Sequence, residues 1–251
     1  MPRPGERRPI LVLGGTGEAL TLSRRLAEQG LPLFYSVRGL TSAPEASFSV
    51  RSGPFGGIDG LTRFLRENRV ALLVDATHPY AEIISRHAQA AAHNCALPCW
   101  ALRRPPWVPK AADRWSEFGD WATLRALLAA HRRPFFTIGR EPLLHLADRP
   151  ETQHWLVRSL TPAPSGPGVT SLAARGPFTL EQELRLMRDF RADALVSKNS
   201  GGSAVAAKVE AAAELGLPVY VRSRPLLPVA DREFENSESL FVALKRKWRL
   251  H

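Results

Sequence analysis

The alternation of short apolar runs with amphipathic stretches is the feature that most constrains the fold of this chain. In the first hundred residues, the apolar runs predict five strands, near positions 10–14, 32–37, 47–51, 71–75 and 98–102. Between them, apolar residues recur at helical spacing in three stretches, near 18–29, 57–68 and 81–93. This alternation predicts a parallel sheet with helices on both faces.

Three prolines between positions 104 and 109 forbid regular helix and mark a connection, after which the alternation restarts. Further strands are predicted near 114–117, 134–138, 154–158, 194–198 and 218–222. Further helices are predicted near 121–130, 142–147, 180–190 and 203–215, with a closing helix at 239–249. The segment 161–168 is rich in proline and glycine, and we expect a surface loop there.

The two series predict an α/β protein of two Rossmann-like, doubly wound parallel-sheet domains with an active-site cleft between them. The domains are expected at residues 1–103 and 104–251, and the closing helix is assigned to the second. A chain of 251 residues with 44% hydrophobic side chains can bury cores of this size.

Composition excludes several classes of protein. No run of about 18 apolar residues exists to cross a bilayer, and the first nine residues contain no apolar stretch typical of a secretory signal. We therefore expect no membrane partner and a cytoplasmic location. Cys95 and Cys99 lack the spacing of a redox pair or a zinc site, and the seven histidines form no H-x-x-x-H pair. We expect structural thiols and no bound metal.

The net charge of +10 allows a nucleic-acid-binding protein as one alternative. However, the basic residues are scattered along the chain, and no aromatic RNA-binding motif accompanies them. We therefore expect no nucleic-acid partner. A positive potential does favour an acidic small-molecule ligand, because it raises the local concentration of anions.

A glycine-containing turn joins the first predicted strand to the first predicted helix, and comprises Gly14, Gly15, Thr16, Gly17 and Glu18. At such a turn, backbone N–H groups and the helix dipole can hold a pyrophosphate, and a Cβ would block its approach. The third glycine of the dinucleotide pattern is absent, so a tight turn without a ligand remains an alternative.

The end of the second predicted strand indicates which dinucleotide binds. Proteins specific for NAD carry an acidic residue there, whereas this chain has Ser36 and Arg38. A hydroxyl and a guanidinium suit a 2′-phosphate, so we predict NADPH as the cofactor. The alternative is a solvated arginine at a strand end.

Polar residues follow the fourth predicted strand, at the sheet edge where open α/β folds bind ligands. Asp75 and Thr77 are predicted to contact the cofactor, and His78 and Tyr80 to lie near the nicotinamide as candidate catalytic residues. Thr77 and Pro79 also resemble a helix start, so a capping role for His78 remains open.

Basic and small residues end two strands of the second half. Lys198, Asn199, Ser200, Gly201 and Gly202 follow an apolar strand, and we interpret them as an anion nest in the second half's equivalent of the phosphate loop. Further substrate-binding candidates are Lys208, Arg140 and Arg224, since arginine grips carboxylates in a bidentate manner. The alternative is a helix cap with solvated basic residues.

Eight motifs occur along the chain in the order found in the precorrin-6A reductase family of cobalamin biosynthesis. They are Gly14–Thr16 with Glu18, Gly53–Gly57, Asp75–Ala81, Arg104–Trp107, Gly139–Arg140, Gly176–Phe178, Lys198–Gly202 and Arg224–Pro225. The chain resembles this family over nearly its whole length. The third and seventh motifs are far more specific than any glycine turn.

The resemblance implies NADPH-dependent reduction of one double bond of precorrin-6A, a macrocyclic tetrapyrrole, to give precorrin-6B. The first domain would then bind the cofactor, and the second the acetate and propionate side chains of the substrate. His78, Tyr80, solvent or a substrate carboxylate could deliver the proton. A reductase of another polyanionic metabolite remains an alternative, and neighbouring enzymes of the pathway are further candidate partners.

Overall fold

The computed structural model describes residues 7–39, 46–111, 113–202 and 206–249. The chain divides into two compact units, one of Met1–Arg104 with Pro225–His251 and one of Pro105–Arg224. Within the described ranges, no helix is both long and apolar enough to cross a membrane. No cluster of three or more potential metal ligands was found among these same residues.

The first unit begins with five strands and three helices. The strands are β1 (Ile10–Leu13), β2 (Leu33–Val37), β3 (Ser49–Ser52), β4 (Leu72–Asp75) and β5 (Cys99–Leu102). The helices are α1 (Gly17–Glu28), α2 (Gly57–Glu67) and α3 (Glu82–Asn94). All of these elements were predicted from the apolar periodicity.

In its described residues, the second unit contains six strands, three helices and a 3₁₀ segment. The strands are β6 (Trp115–Phe118), β7 (Pro134–Phe136), β8 (Trp155–Ser159), β9 (Val169–Ala173), β10 (Ala194–Lys198) and β11 (Val219–Arg222). The helices are α4 (Trp121–Leu127), α5 (Leu180–Phe190) and α6 (Ala207–Glu214), and the 3₁₀ segment is Glu141–Asp148. The predicted start of the sixth helix at Ser203 lies outside the described residues. β9 was not predicted, because only its first residue is buried.

The chain returns to the first unit for its last strand and helix, β12 (Arg232–Phe234) and α7 (Ser237–Trp248). The assignment of the closing helix to the second domain is therefore wrong. β12 pairs in parallel with β5, and the backbone N–H of Arg103 donates to the carbonyl of Phe234 at 2.7 Å. On α7, Leu240 and Leu244 are fully buried in the core that α1 also lines. The first sheet thus has six strands where five were predicted.

Both sheets are parallel and share one strand order. The first runs β12-β5-β4-β1-β2-β3, and the second β6-β11-β10-β7-β8-β9. β7 therefore corresponds to β1, β10 to β4 and β11 to β5. The strand order reverses between β1 and β4 in the first sheet and between β7 and β10 in the second. Folds of this kind bind ligands at that point.

Apolar residues on both faces explain the continuous apolar runs of the central strands. In β1, Ile10 and Val12 enter the core cluster on one side of the sheet, and Leu11 and Leu13 enter the cluster on the other. Neither face leaves room for polar side chains. The polar motifs consequently follow the carboxyl ends of the strands.

We expect Leu244→Ala to lower the free energy of unfolding by about 2–5 kcal/mol, because it removes a fully buried side chain from the core of the first unit. The matched control is Val242→Ala on the same helix, where Val242 is 48% exposed and the change should stay within about 0.5 kcal/mol. Urea denaturation measures both. Hydrogen exchange should be faster in β1 and β5 of the variant, and faster exchange in β7 and β10 instead would contradict the placement of α7.

Candidate active site

The turn between β1 and α1 has the glycines that a pyrophosphate needs. A Cβ built on Gly14 would lie 2.2 Å from the ring of Tyr35, so only glycine fits there. The N–H of Gly15 donates to the Tyr35 hydroxyl at 3.0 Å, and Gly15 has a φ of +106°. Cβ atoms built on Gly15 and Gly17 would meet nothing within 4 Å. Open space therefore lies above the turn, where a bound phosphate would fit.

Thr16 and Glu18 hold this turn in place. Thr16 caps α1 by accepting from the N–H of Ala19 at 3.1 Å, and its hydroxyl donates to the carbonyl of Ala76 at 3.3 Å. Glu18 forms an ion pair with Arg104 at 3.0 Å. The glycine turn is thus tied to the polar segment after β4 and to the connection after β5.

The two residues predicted to read the 2′-phosphate have different environments. Ser36 is buried, and its carbonyl accepts from the N–H of Gly14 at 2.8 Å. Arg38 follows β2 and is exposed, with no hydrogen bond or ion pair to another described residue. Arg38 is therefore the residue of this pair that is open to a ligand.

Asp75 is buried at the end of β4 and organises the segment that follows. Its Oδ2 accepts from Nη2 of Arg103 at 2.8 Å. Its Oδ1 accepts from the hydroxyl of Thr77 at 2.6 Å and from the N–H of Thr77 at 3.2 Å. The carboxylate thus fixes the backbone that leads to His78. Sequence reasoning missed Arg103, although its position directly after β5 was a signal.

His78 and Tyr80 lie side by side and are half-buried. Nδ1 of His78 accepts from the N–H of Tyr80 at 3.3 Å, and the two ring centroids are 5.6 Å apart. A neutral His78 with Nδ1 as acceptor carries its proton on Nε2. The structure thus brings together an imidazole N–H and a phenol hydroxyl, both of which can donate a hydrogen bond.

In the second unit, the Lys198–Gly202 segment is hydrogen-bonded to Trp107, and we call this arrangement the Trp107 clasp. Oδ1 of Asn199 accepts from the N–H of Trp107 at 2.7 Å, and Nδ2 of Asn199 donates to the carbonyl of Trp107 at 3.0 Å. The indole Nε1 of Trp107 donates to the carbonyl of Gly202 at 2.9 Å. Asn199 and Ser200 are both buried. Residues of two separate sequence motifs, Arg104–Trp107 and Lys198–Gly202, are therefore in contact.

Arg224 and Gly201 belong to the same clasp. Nε of Arg224 donates to the carbonyl of Asn199 at 2.7 Å, and its Nη2 donates to the carbonyl of Pro105 at 3.3 Å. A Cβ on Gly201 would lie 2.2 Å from the carbonyl oxygen of Pro105. These hydrogen bonds give Asn199 and Arg224 a structural role.

The strand order corrects the interpretation of the Lys198–Gly202 segment as the counterpart of the phosphate loop. This segment follows β10, which corresponds to β4, and it is therefore the counterpart of the segment after Asp75. The counterpart of the glycine turn follows β7 and contains Gly139, with a φ of +83°, and Arg140. The sequence alone could not show this, because the order of strands in a sheet is a tertiary property.

Two basic side chains of the second unit follow the carboxyl ends of neighbouring strands. Arg140 is exposed, as expected for a residue that meets a ligand. Lys198 is half-buried, and burial lowers its pKa, an effect opposed by the nearby carboxylate of Glu141. Glu141 also pairs with Arg222.

A protein-family model described as precorrin-6x reductase CbiJ/CobK matches residues 9–245. The chain belongs to the precorrin-6x reductase family. The precorrin-6A reductase of Rhodococcus erythropolis is 43% identical over 226 residues, which are 88% of this chain and 91% of that protein. The precorrin-6A reductase of Rhodobacter capsulatus is 40% identical over 228 residues, which are 88% and 90% of the two chains.

A solved structure of a family member, CobK precorrin-6A reductase, has a TM-score of 0.87 to this chain. Its sequence is 36% identical, and the alignment covers 96% of this chain and 97% of that one. The predicted α/β fold of two doubly wound parallel sheets is therefore confirmed.

The second unit of the present protein also contains a buried cluster of charged residues. Nη1 and Nη2 of Arg158 donate to the two carboxylate oxygens of Glu183 at 3.0 and 2.8 Å. Lys208 is 8% exposed, and burial lowers its pKa to about 8. Sequence reasoning named Lys208 but missed the pair. The signal was the helical spacing of Glu183 with the apolar Leu180 and Met187.

We expect Lys208→Met to stabilise the protein at pH 7 by on the order of 2 kcal/mol, because it removes a buried charge whose desolvation outweighs the attraction of the Glu183 carboxylate. The pKa is about 8 in the folded protein and 10.5 ordinarily, so the unfolded chain binds more protons between these pH values. The gain should therefore be largest below pH 8 and shrink as the pH rises towards 10.5. Thermal unfolding at pH 7 and 9.5 measures it.

The control is Lys110→Met, which removes an exposed lysine of the same unit and should change stability by less than about 0.5 kcal/mol. An equal gain for the Lys208 variant at both pH values would contradict a buried ammonium.

Proposed function

We propose that this protein reduces one double bond of precorrin-6A with NADPH, giving precorrin-6B in cobalamin biosynthesis. The observation that supports this proposal most strongly is the sequence match to precorrin-6A reductases, which covers nearly the whole length of this chain and of each relative. The polar family motifs also lie at the ligand-binding edges of the two sheets.

The first unit is the proposed NADPH site. Support comes from the open space above Gly15 and Gly17 and from the N-terminal amides of α1, which suit a pyrophosphate. The exposed Arg38, with no acidic residue at the end of β2, suits a 2′-phosphate. When bound, NADPH supplies the hydride.

The chain's own residues position the reactants and supply the proton. In this proposal, Asp75 acts as a positioning residue, because its bonds to Arg103 and Thr77 fix the backbone before His78. His78 and Tyr80 are the proposed proton donors. Thr16 hydrogen-bonds this segment to the glycine turn, and would thereby help to position the proton donors relative to a bound cofactor.

The second unit is the proposed site for the carboxylates of the tetrapyrrole. Lys198 is the last residue of β10 and Arg140 follows β7, so both basic residues lie at the carboxyl ends of central strands. Asn199, Ser200, Gly201 and Arg224 are proposed to shape this site by holding the clasp around Trp107.

An anaerobic assay of the purified protein with precorrin-6A and NADPH tests the function. We expect the absorbance of both compounds to fall together, in a 1:1 ratio of NADPH oxidised to precorrin-6A consumed. Unchanged absorbance of both with folded protein would refute the proposal.

For the cofactor, we expect Arg38→Ala to weaken NADPH binding about ten- to a hundred-fold and to leave NADH binding nearly unchanged. The reason is the loss of a charge-assisted hydrogen bond to the 2′-phosphate, worth roughly 1.5–3 kcal/mol. Fluorescence titration with each cofactor measures the two affinities. The control is Arg63→Ala, an exposed arginine on α2, which should change neither affinity. Equal losses for NADPH and NADH would mean that Arg38 has a structural role.

For the substrate, we expect Lys198→Ala to raise KM for precorrin-6A roughly five-fold and to leave NADPH affinity intact. One partly exposed lysine–carboxylate contact among several contributes about 1 kcal/mol. A fall in kcat would indicate that the contact also aligns the reacting carbon. Steady-state kinetics at saturating NADPH measure both constants, with Lys110→Ala as control. Loss of NADPH binding by a folded Lys198 variant would show that the roles of the two units are reversed.

A further inference from the structure

The second unit contains a cavity of about 180 Å³ at the carboxyl ends of β7 and β8. Its lining residues include Thr137 and Gly139 after β7, Ser159 at the end of β8, and Arg158, Glu183 and Lys208. This is the sheet edge that also carries Arg140 and Lys198. In a doubly wound sheet, this edge is where ligands bind.

The charges of this cavity are arranged for an anion. Arg158 is buried, paired through both nitrogens with Glu183, and stacked on the ring of Phe178 at 4.2 Å. The charges of Arg158 and Glu183 therefore cancel. Lys208 is nine-tenths buried and makes no hydrogen bond or ion pair with any described residue. Its ammonium lies 5.6 Å from the ring centroid of Trp107. The three charged groups thus leave one positive charge in excess.

The neutral polar groups of the lining do not neutralise this charge. The hydroxyl of Thr137 donates to the carbonyl of Val196 at 3.0 Å, and the hydroxyl of Ser159 donates to the carbonyl of Thr161 at 2.7 Å. Both are therefore already used as donors within the protein. Among the described side chains of this lining, the ammonium of Lys208 has no hydrogen-bond acceptor, so it remains available to a ligand.

We propose that this cavity is a carboxylate site in which Lys208 binds one acidic side chain of the substrate. This inference rests on the proposed function, which supplies a substrate rich in acetate and propionate groups. The size agrees, because pockets that enclose whole drug-sized ligands begin at about 300 Å³. A cavity of 180 Å³ has room for a short acidic arm, with the macrocycle remaining outside.

Kinetics separate this inference from the proposed function. At saturating NADPH, Lys208→Met should raise KM for precorrin-6A about ten-fold, with unchanged NADPH affinity, because a charge-assisted contact is lost. Lys208→Gln should give a similar KM, and Lys110→Met should behave as the wild type. Equal KM values for the Lys208 and Lys110 variants, both active, would overturn the inference and leave the function standing. An inactive wild-type protein would remove the function.

A binding measurement without turnover identifies the occupant, whether or not the enzyme is active. The chain has only five lysines, so ¹³Cε signals of lysine-labelled protein are resolvable, and Lys208→Met assigns the signal of Lys208. Precorrin-6A without NADPH should move the titration of that signal to higher pH, because a bound carboxylate stabilises the ammonium. An unmoved signal at saturating precorrin-6A would overturn the inference.

The same measurement distinguishes the substrate arm from a free anion. Millimolar propionate or inorganic phosphate should leave the Lys208 titration unchanged, because neither is held by the rest of a macrocycle. A full shift with propionate or phosphate alone would identify a site for a free small anion and overturn the assignment to the substrate.

Discussion

The structure depends on the requirement that parallel strands be covered by apolar side chains on both faces. In β1 and β4, no position is available for an exposed polar side chain, and all eight residues of the two strands are buried. Polar groups therefore follow the strands, at their carboxyl ends. Because all strands of a parallel sheet end on the same side, this requirement alone brings Gly15, Arg38 and His78 to one edge. The second sheet brings Arg140 and Lys198 together in the same way.

Several charged and polar groups at these edges form hydrogen bonds within the protein. Asp75 is bonded to Arg103, Asn199 to both backbone groups of Trp107, and Arg158 to Glu183. Such buried groups require partners, because an unpaired polar group away from water is costly. Their role is to fix the loops that carry the other candidate ligand-binding residues. Lys208 contrasts with them, since it is equally buried but has no acceptor among the described residues. That difference, more than its charge, is the basis for proposing it as a ligand-binding residue.

The chain crosses from one unit to the other twice, because its last strand and helix complete the first unit. Each sheet is completed by a strand outside its run of five, β12 in the first and β6 in the second. β12 is only three residues long, and is held by its pairing with β5 and by the bond from the N–H of Cys99 to the carboxylate of Asp231 at 2.7 Å. The ion pair of Arg25 with Glu238 at 2.6 Å links α7 to α1. The two halves are therefore separate in architecture but not in the order of the chain.

The sequence by itself determined the elements and the edge at which the polar motifs lie, because apolar periodicity and strand ends are local properties. It placed ten of the twelve strands found in the described residues, and it predicted Gly15, Arg38 and His78 as residues near a ligand. It missed β9 and β12, whose short sequences are mostly not buried and carry no clear apolar pattern, and it assigned α7 to the wrong unit. Only the tertiary structure decided that Asn199 and Arg224 form the Trp107 clasp, that the glycine turn corresponds to Gly139, and that Lys208 has no acceptor among the described residues. These are properties of pairing between residues distant in the chain, and no local pattern encodes which partner a strand or a buried charge will meet.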